Sequence, residues 1–291
     1  MDTMSTNLKK MEYAVRGRVV IAADRIATEL REPENKGKYP FDHIIYTNIG
    51  NPHSVGQKGL TWPRQVLALC DLPDDCGIDN PKAKKLFPAD AIERAREIKI
   101  ALNGMGTGAY THSQGPMPFR QDISKFIEER DAGVKSNPNH IFMTNGASCA
   151  ISMILTTLLS DPSCGVLVPI PQYPIYSATI ELLGGKNVGY YLDEEKGWDT
   201  NLEELERALL KARADGINVN SFVMINPGNP TGQVLSKESV QDIVKFCAKH
   251  KLVLLADEVY QKNVYVEGAE FYSCKRAAAD TGLIDVSGIS A

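Results

Sequence analysis

The sequence predicts an α/β fold: a mainly parallel sheet covered by helices on both faces. Two observations point there. From residue 140 onward short apolar runs alternate with longer stretches of helical period, and strands that alternate with helices are joined most simply by parallel crossovers. Second, a run such as Phe222-Val223-Met224-Ile225 is apolar throughout, which reads as a buried strand. Strands are expected at Ile141–Thr144, Val166–Pro169, Val188–Leu192, Phe222–Ile225 and Leu252–Ala256. Helices are expected between them at Ala147–Leu159, Tyr176–Leu183, Leu202–Ala214 and Ser236–His250.

The last of these helices shows the logic. Ser236 is a natural N-cap, Glu238 sits in the first turn, and Lys249, His250 and Lys251 gather at the far end, which suits the helix dipole. Val240, Ile243, Val244 and Cys247 recur at helical spacing and give one buried stripe. Ahead of residue 140 the pattern is weaker. A helix is expected near Val19–Leu30, and "TNIGNPHSVGQKGLTWP" reads as a long loop. A further helix pattern starts after Pro88 and runs to Gly104. The glycines that follow, in "GMGTGAYTHSQG", come after a helix and not after a strand, so they do not form a dinucleotide-binding turn.

Composition narrows the function. The chain has 291 residues, enough for a sizeable core, with 43% hydrophobic and 23% charged residues, ordinary values for a globular protein. A formal net charge of −4 with scattered basic residues makes a nucleic-acid partner unexpected. The six cysteines form no CxxC pair and the five histidines no HExxH, so no metal site is expected and the thiols read as reduced. No apolar window is long enough for a membrane span. The N-terminus has no apolar signal core, and the expected compartment is the cytosol.

Open parallel sheets bind ligands at the carboxyl ends of their strands. Read there alone, the sequence offers "TNGAS" (144–148), "PIPQYPIYSA" (169–178), "NPGNPTG" (226–232) and "DEVYQ" (257–261). Gly146, Ala147 and Ser148 open an apolar helix whose free N–H groups suit a phosphate; capping by Asn145 explains the same residues. Tyr173, between Pro171 and Pro174, offers a stiff aromatic plane for a flat heterocycle, or is an ordinary core or surface tyrosine. Asp257 ends an apolar strand, where a carboxylate needs a cation or strong donors; it either meets a ligand or caps the next turn. Asn229 and Tyr260 stand on neighbouring loops. One ligand satisfies the whole set: pyridoxal 5′-phosphate, with a phosphate, a flat ring, a protonated ring nitrogen and a ring oxygen. A carboxylate facing that nitrogen keeps it protonated and makes the ring an electron sink.

These motifs, with "EYAVRGRVV", "FDHIIYTNIGNPHSVGQKGLTWPRQVLALC", "GAYTHSQG" and "LADEVYQKNVY", make the sequence resemble the fold-type I pyridoxal-phosphate-dependent aminotransferases, most closely the alanine branch. The resemblance implies Ala147 and Ser148 at the phosphate, Tyr173 stacked on the ring, Asn229 and Tyr260 on the ring oxygen, and Asp257 at the ring nitrogen. It implies that Tyr110 reaches the phosphate in a neighbouring subunit, hence a homodimer, and that Gly50 contacts the substrate carboxylate. It implies an N-terminal arm and part of a small domain over 1–87, and the cofactor-binding large domain over 88–291. Amino acids and 2-oxo acids are the implied substrates, with transfer between L-alanine and 2-oxoglutarate.

Such enzymes hold the cofactor on a lysine in an S-x-S-K segment beyond "DEVY". No such segment occurs here. The lysines after Asp257 are Lys262 and Lys275, and neither sits in that motif, nor is there a matching carboxylate-clamping arginine. The expectation is a C-terminally truncated aminotransferase without turnover. The alternatives are a non-catalytic remnant that binds cofactor or pairs with an intact relative, and a lyase of the same fold.

Overall fold

The computed structural model describes residues 3–13, 17–104 and 106–284. Contacts divide the chain into two compact units: residues 1–48, 130–134 and 144–291, and residues 49–129 and 135–143. The division does not run through residue 87.

In chain order the helices are α1 (Thr6–Lys10), α2 (Arg18–Glu29), α3 (Thr61–Asp71), α4 (Ala83–Leu86), α5 (Ala89–Ala101), α6 (Met117–Arg130), α7 (Ala147–Leu158), α8 (Ile175–Leu182), α9 (Leu202–Ala214), α10 (Lys237–His250) and α11 (Cys274–Asp280). The strands are β1 (Cys164–Ile170), β2 (Lys186–Tyr191), β3 (Asn218–Ile225) and β4 (Val253–Asp257).

Among the described residues the strands form one parallel sheet in the order β2-β1-β3-β4. The alternation of side chains along a strand then sorts the core into two layers. Leu167, Phe222 and Met224 face one way, against Leu205, Leu209, Val240 and Ile243 of α9 and α10. Val166, Val168, Val223 and Ile225 face the other, against Leu155 of α7 and Tyr176 and Ile180 of α8. Helices on both faces explain why β1 and β3 are apolar at consecutive positions. The first layer is fixed by aromatic contact: the rings of Tyr190 and Phe222 stack at 5.0 Å, and the Tyr190 hydroxyl donates to the Val223 carbonyl at 2.8 Å, so a buried phenol is satisfied.

The cap expected for α10 forms. Ser236 Oγ accepts from Ser239 N at 3.0 Å, and Val240, Ile243, Val244 and Cys247 are all buried. In α9, Asn201 caps the start, acidic residues fill the first turn, and Leu205, Ala208, Leu209 and Ala212 form the buried stripe.

Two expectations change, and one helix, α6, was not expected. Ile141–Thr144 is not a strand; an extended segment needs a hydrogen-bonded neighbour, and among the described residues this one has one backbone bond to a distant segment, Met143 N to Gln114 O. The long loop ends early because α3 begins at Thr61. Pro63 fits its first turn, where N–H groups have no helical acceptor, while Val66, Leu69 and Cys70 are buried against Ala91, Ile92 and Ala95 of α5. Helix α6 has no apolar stripe; its buried residues are Arg120 and Ser124, so hydrophobic periodicity does not reveal it. All six cysteines are free thiols. Among the described residues no helix is long and apolar enough to cross a membrane.

Candidate functional site

The path from β1 to β2 runs to one side of β1, and the path from β2 to β3 returns to the other. A parallel sheet opens a crevice at such a reversal, at the carboxyl ends of its strands. The loops leaving β1 and β3 carry Tyr173 and Asn229, and Asp257 is the last residue of β4.

The β3 loop is the most tightly built. Asn226 is fully buried; its Oδ1 accepts from Leu235 N at 3.0 Å, and its own N–H donates to the Asp257 carbonyl at 2.9 Å. Gly228 N donates to Gln233 O at 2.9 Å and Gly232 N to Gly228 O at 3.0 Å. A Cβ on Gly228 would lie 2.0 Å from Gln233 Oε1, so that position takes glycine unless Gln233 moves. These bonds close the loop that carries Asn229 on its outer turn, between two prolines. Asn229 lines a narrow crevice with Pro169, Pro171 and Thr231.

Asp257 ends β4, in register with Ile225 at the end of β3. Its Oδ2 accepts from the Tyr176 hydroxyl at 2.6 Å, and its Oδ1 accepts from Val259 N at 3.2 Å. The carboxylate therefore caps the next turn with one oxygen and meets a phenol with the other. Burial, then the charge of Asp257, pushes the Tyr176 hydroxyl well above the ordinary phenol range, so it is the donor.

Asp257, Tyr176 and Ala147 line one cavity of about 500 Å³, together with Ile151 and Ile154 of α7, Arg130 and Glu258. The N-cap position of α7 is Gly146, with φ +80°, and no side chain caps the helix. Capping by Asn145 is thus not what the local sequence achieves. The first-turn N–H groups of Ala147 and Ser148 have no helical acceptor and remain available to an anion.

Behind Asp257 a second set of charges braces the strand end. Arg130 donates to both oxygens of the buried Asp131, at 2.7 and 2.8 Å, and to Glu258 at 3.2 Å. Glu258 also accepts from Cys274 N at 2.8 Å, and Ser273 donates to Asp131 at 2.7 Å. Burial holds the Glu258 carboxyl above its usual range, against the pull of the Cys274 N–H and Arg130.

The expected residues are therefore distributed as follows. Gly146, Ala147, Ser148, Tyr173, Asn229, Asp257 and Tyr260 belong to the first unit; Gly50 and Tyr110 belong to the second. Tyr173 is half-buried against the α7–α8 layer, with its hydroxyl 2.7 Å from that of Tyr13. Tyr260 is exposed on the turn after β4, and Tyr110 is fully exposed. Sequence reasoning missed Tyr176, Arg130 and Glu258. Tyr176 had a usable signal: it lies three residues after Tyr173, and a carboxylate closing an apolar strand needs a donor.

The donor set fits pyridoxal phosphate: a helix start with uncapped N–H groups and a carboxylate share one cavity, while Asn229 of the β3 loop lines a separate crevice at the adjoining strand end. The family described as aminotransferase class I and II matches residues 78–290. The mitochondrial alanine aminotransferase 1 of Arabidopsis thaliana is 50% identical over 282 residues, 97% of this chain and 51% of its own. A probable mitochondrial alanine aminotransferase of Dictyostelium discoideum is 48% identical over 285 residues, 97% of this chain and 53% of its own. An aminotransferase structure from Escherichia coli superposes with a TM-score of 0.67 at 28% identity, covering 94% of this chain and 55% of that one. The chain spans about half the length of the curated relatives it matches. The expectation of a cytosolic protein is overturned by these relatives, which are mitochondrial by name. With the match over residues 78–290 on a parallel sheet whose strand ends carry the expected motifs, the chain belongs to the class I and II aminotransferases, a pyridoxal-phosphate-dependent family.

Proposed function

We propose that residues 1–291 form the cofactor cradle of an alanine-type aminotransferase, an enzyme that moves the amino group between L-alanine and 2-oxoglutarate to give pyruvate and L-glutamate. The observation that carries this reading is the pairing, in one cavity, of the Asp257 carboxylate with the uncapped start of α7 at Ala147. When bound, pyridoxal phosphate supplies an electron sink for the bond-breaking at the substrate's Cα. The chain's part is binding and orientation. Ala147 and Ser148 N–H groups, with Gly146 shaping the turn, hold the phosphate. Tyr173 covers the ring, Asn229 and Tyr260 donate to the ring oxygen, and Asp257 holds the proton on the ring nitrogen. Gly50 offers its backbone to the substrate carboxylate, and Tyr110 serves the phosphate of a second copy, which makes the working unit a homodimer. The same reading assigns residues 1–87 to the arm and small domain and residues 88–291 to the large domain.

Within residues 1–291 no lysine lies in an S-x-S-K segment. Lys262 follows the β4 turn and Lys275 lies in α11, so the reading assigns neither a proton-transfer role. Residues 1–291 alone should then hold the cofactor without covalent attachment and without turnover. Purified chain saturated with pyridoxal phosphate and treated with borohydride is expected to show no reduced adduct on either lysine and to form no pyruvate from alanine. An adduct together with pyruvate would contradict this assignment.

A second reading is favoured by one observation. Strand β4 is apolar, yet Val253 is 46% exposed on the outer edge. A chain with such an edge pairs readily with another polypeptide, and these residues then act as a non-catalytic partner of an intact relative. Co-purification with an intact alanine aminotransferase, with no effect of added pyridoxal phosphate, is the outcome that favours it.

A further inference from the structure

Asp257 stands at the end of the outermost described strand, so the sheet supports it from one side only. Its orientation has to come from elsewhere. Among the described residues its carboxylate has two donors, Val259 N on Oδ1 and the Tyr176 hydroxyl on Oδ2. An ionised carboxylate accepts about four hydrogen bonds, so both oxygens keep room for a ligand N–H.

Tyr176 is well suited to this task. It lies in the first turn of α8, the helix that follows β1, and is 2% exposed. Its ring is packed in the layer with Val166, Val168, Ile180 and Val223. The bond to Asp257 therefore spans the sheet from the β1 connection to β4, across β3. The other charges near Asp257 are directed elsewhere. Arg130 is bound to Asp131, Glu258 and Gln261, and Glu258 to Arg130 and Cys274 N.

We infer that Tyr176 is the positioning residue of the cofactor site: its hydroxyl fixes the Asp257 carboxylate in the single orientation that meets the cofactor's ring nitrogen. The inference rests on the cofactor reading above and gives a role to a residue of the β1 loop motif to which the sequence analysis assigned none. The phenol keeps its proton because burial and the adjacent carboxylate both oppose ionisation. It donates to Asp257 in free and bound chain alike, and the site is set before the ligand arrives.

The test uses pyridoxal phosphate labelled at the ring nitrogen, titrated into the full chain and into Tyr176→Phe. Two quantities are read: the dissociation constant and the nitrogen resonance, which separates a protonated ring from a bare one. Tyr176→Phe is expected to bind roughly ten-fold or more weakly, the scale of a lost hydrogen bond to a charged group, and to shift the resonance toward the bare ring. A purely structural tyrosine would weaken binding and leave the resonance of the bound ring in place. If the parent chain binds no pyridoxal phosphate, the reading beneath the inference fails. If the parent binds a protonated ring and Tyr176→Phe matches it in both quantities, the inference alone fails. Should Tyr176→Phe not fold, fluorotyrosine at position 176 replaces it as the probe. Its fluorine resonance is expected to move with pyridoxal phosphate and to stay with the analogue whose ring nitrogen is replaced by carbon. The same response to both ligands, or none at saturation, overturns the inference.

Discussion

The two outer strands of the described sheet differ in kind. On β2, Lys186 and Asn187 are exposed and Gly189 interrupts the side-chain row; at its end Tyr191 N is taken up by Glu204 at 3.0 Å. Lysine and a capped end are devices that stop a sheet from pairing further. Strand β4 has none of them. Its residues Val253-Leu254-Leu255-Ala256 read as an interior strand, yet all four are exposed or half-exposed. One edge is written to end the sheet and the other to continue it. The lesson for the site is that Asp257 stands on the less supported strand, and that Tyr176 and the Arg130 cluster supply the support the sheet does not.

The largest test of this contrast is Arg130→Ala. It leaves Asp131 and Glu258 buried without their shared cation, a loss of roughly 3–5 kcal/mol, read as a shift in the urea midpoint at constant slope. A loss below about 1 kcal/mol, the range of a solvent-exposed pair, would show that the cluster does not brace the β4 end. Next is a pair of truncations. Leu167→Ala, at a fully buried position of β1, should cost roughly 2–5 kcal/mol, and Leu255→Ala on the half-exposed β4 clearly less. Equal costs would mean that β4 is covered as well as β1.

A smaller effect is set by pH. The folded state binds a proton at Glu258 more tightly than the unfolded chain, whose glutamate titrates near 4.5. Its contribution to stability is therefore complete below that value and is lost as pH rises through the raised folded one. Glu258→Gln removes this slope, so parent minus variant stability should fall with rising pH across that window. A flat difference would contradict the burial assigned to Glu258. Smallest in stability is Val253→Lys, expected to change it by about 0.5 kcal/mol or less while reducing self-association measured by light scattering. Unchanged association would remove the contrast between the edges.

Legibility in the sequence follows the same physics. Strands β1 and β3 and helices α9 and α10 were readable because burial on two faces or on one stripe forces an apolar pattern; β4 carries the same kind of apolar run, although its residues are exposed or half-exposed. Helix α6 was not, since its buried positions are Arg120 and Ser124, satisfied by hydrogen bonds to Gly115 O and Ser136 O. The strand expected at Ile141–Thr144 had the right composition, but pairing depends on a neighbour that local sequence does not specify. At the candidate site, Asp257 stands out in the sequence because a polar residue closing an apolar strand is costly without a use, and Asn229 because it sits between two prolines in the loop after β3. Tyr176 was hidden because a tyrosine among apolar residues looks like core, and it is core in all but its hydroxyl.

The most direct measurement is binding of pyridoxal phosphate to the purified chain and to Asp257→Asn, followed by induced circular dichroism of the bound chromophore. A saturable signal in the parent that weakens by roughly ten-fold or more in Asp257→Asn is the predicted result. No saturable signal in the parent, or an equal one in both chains, would contradict the account.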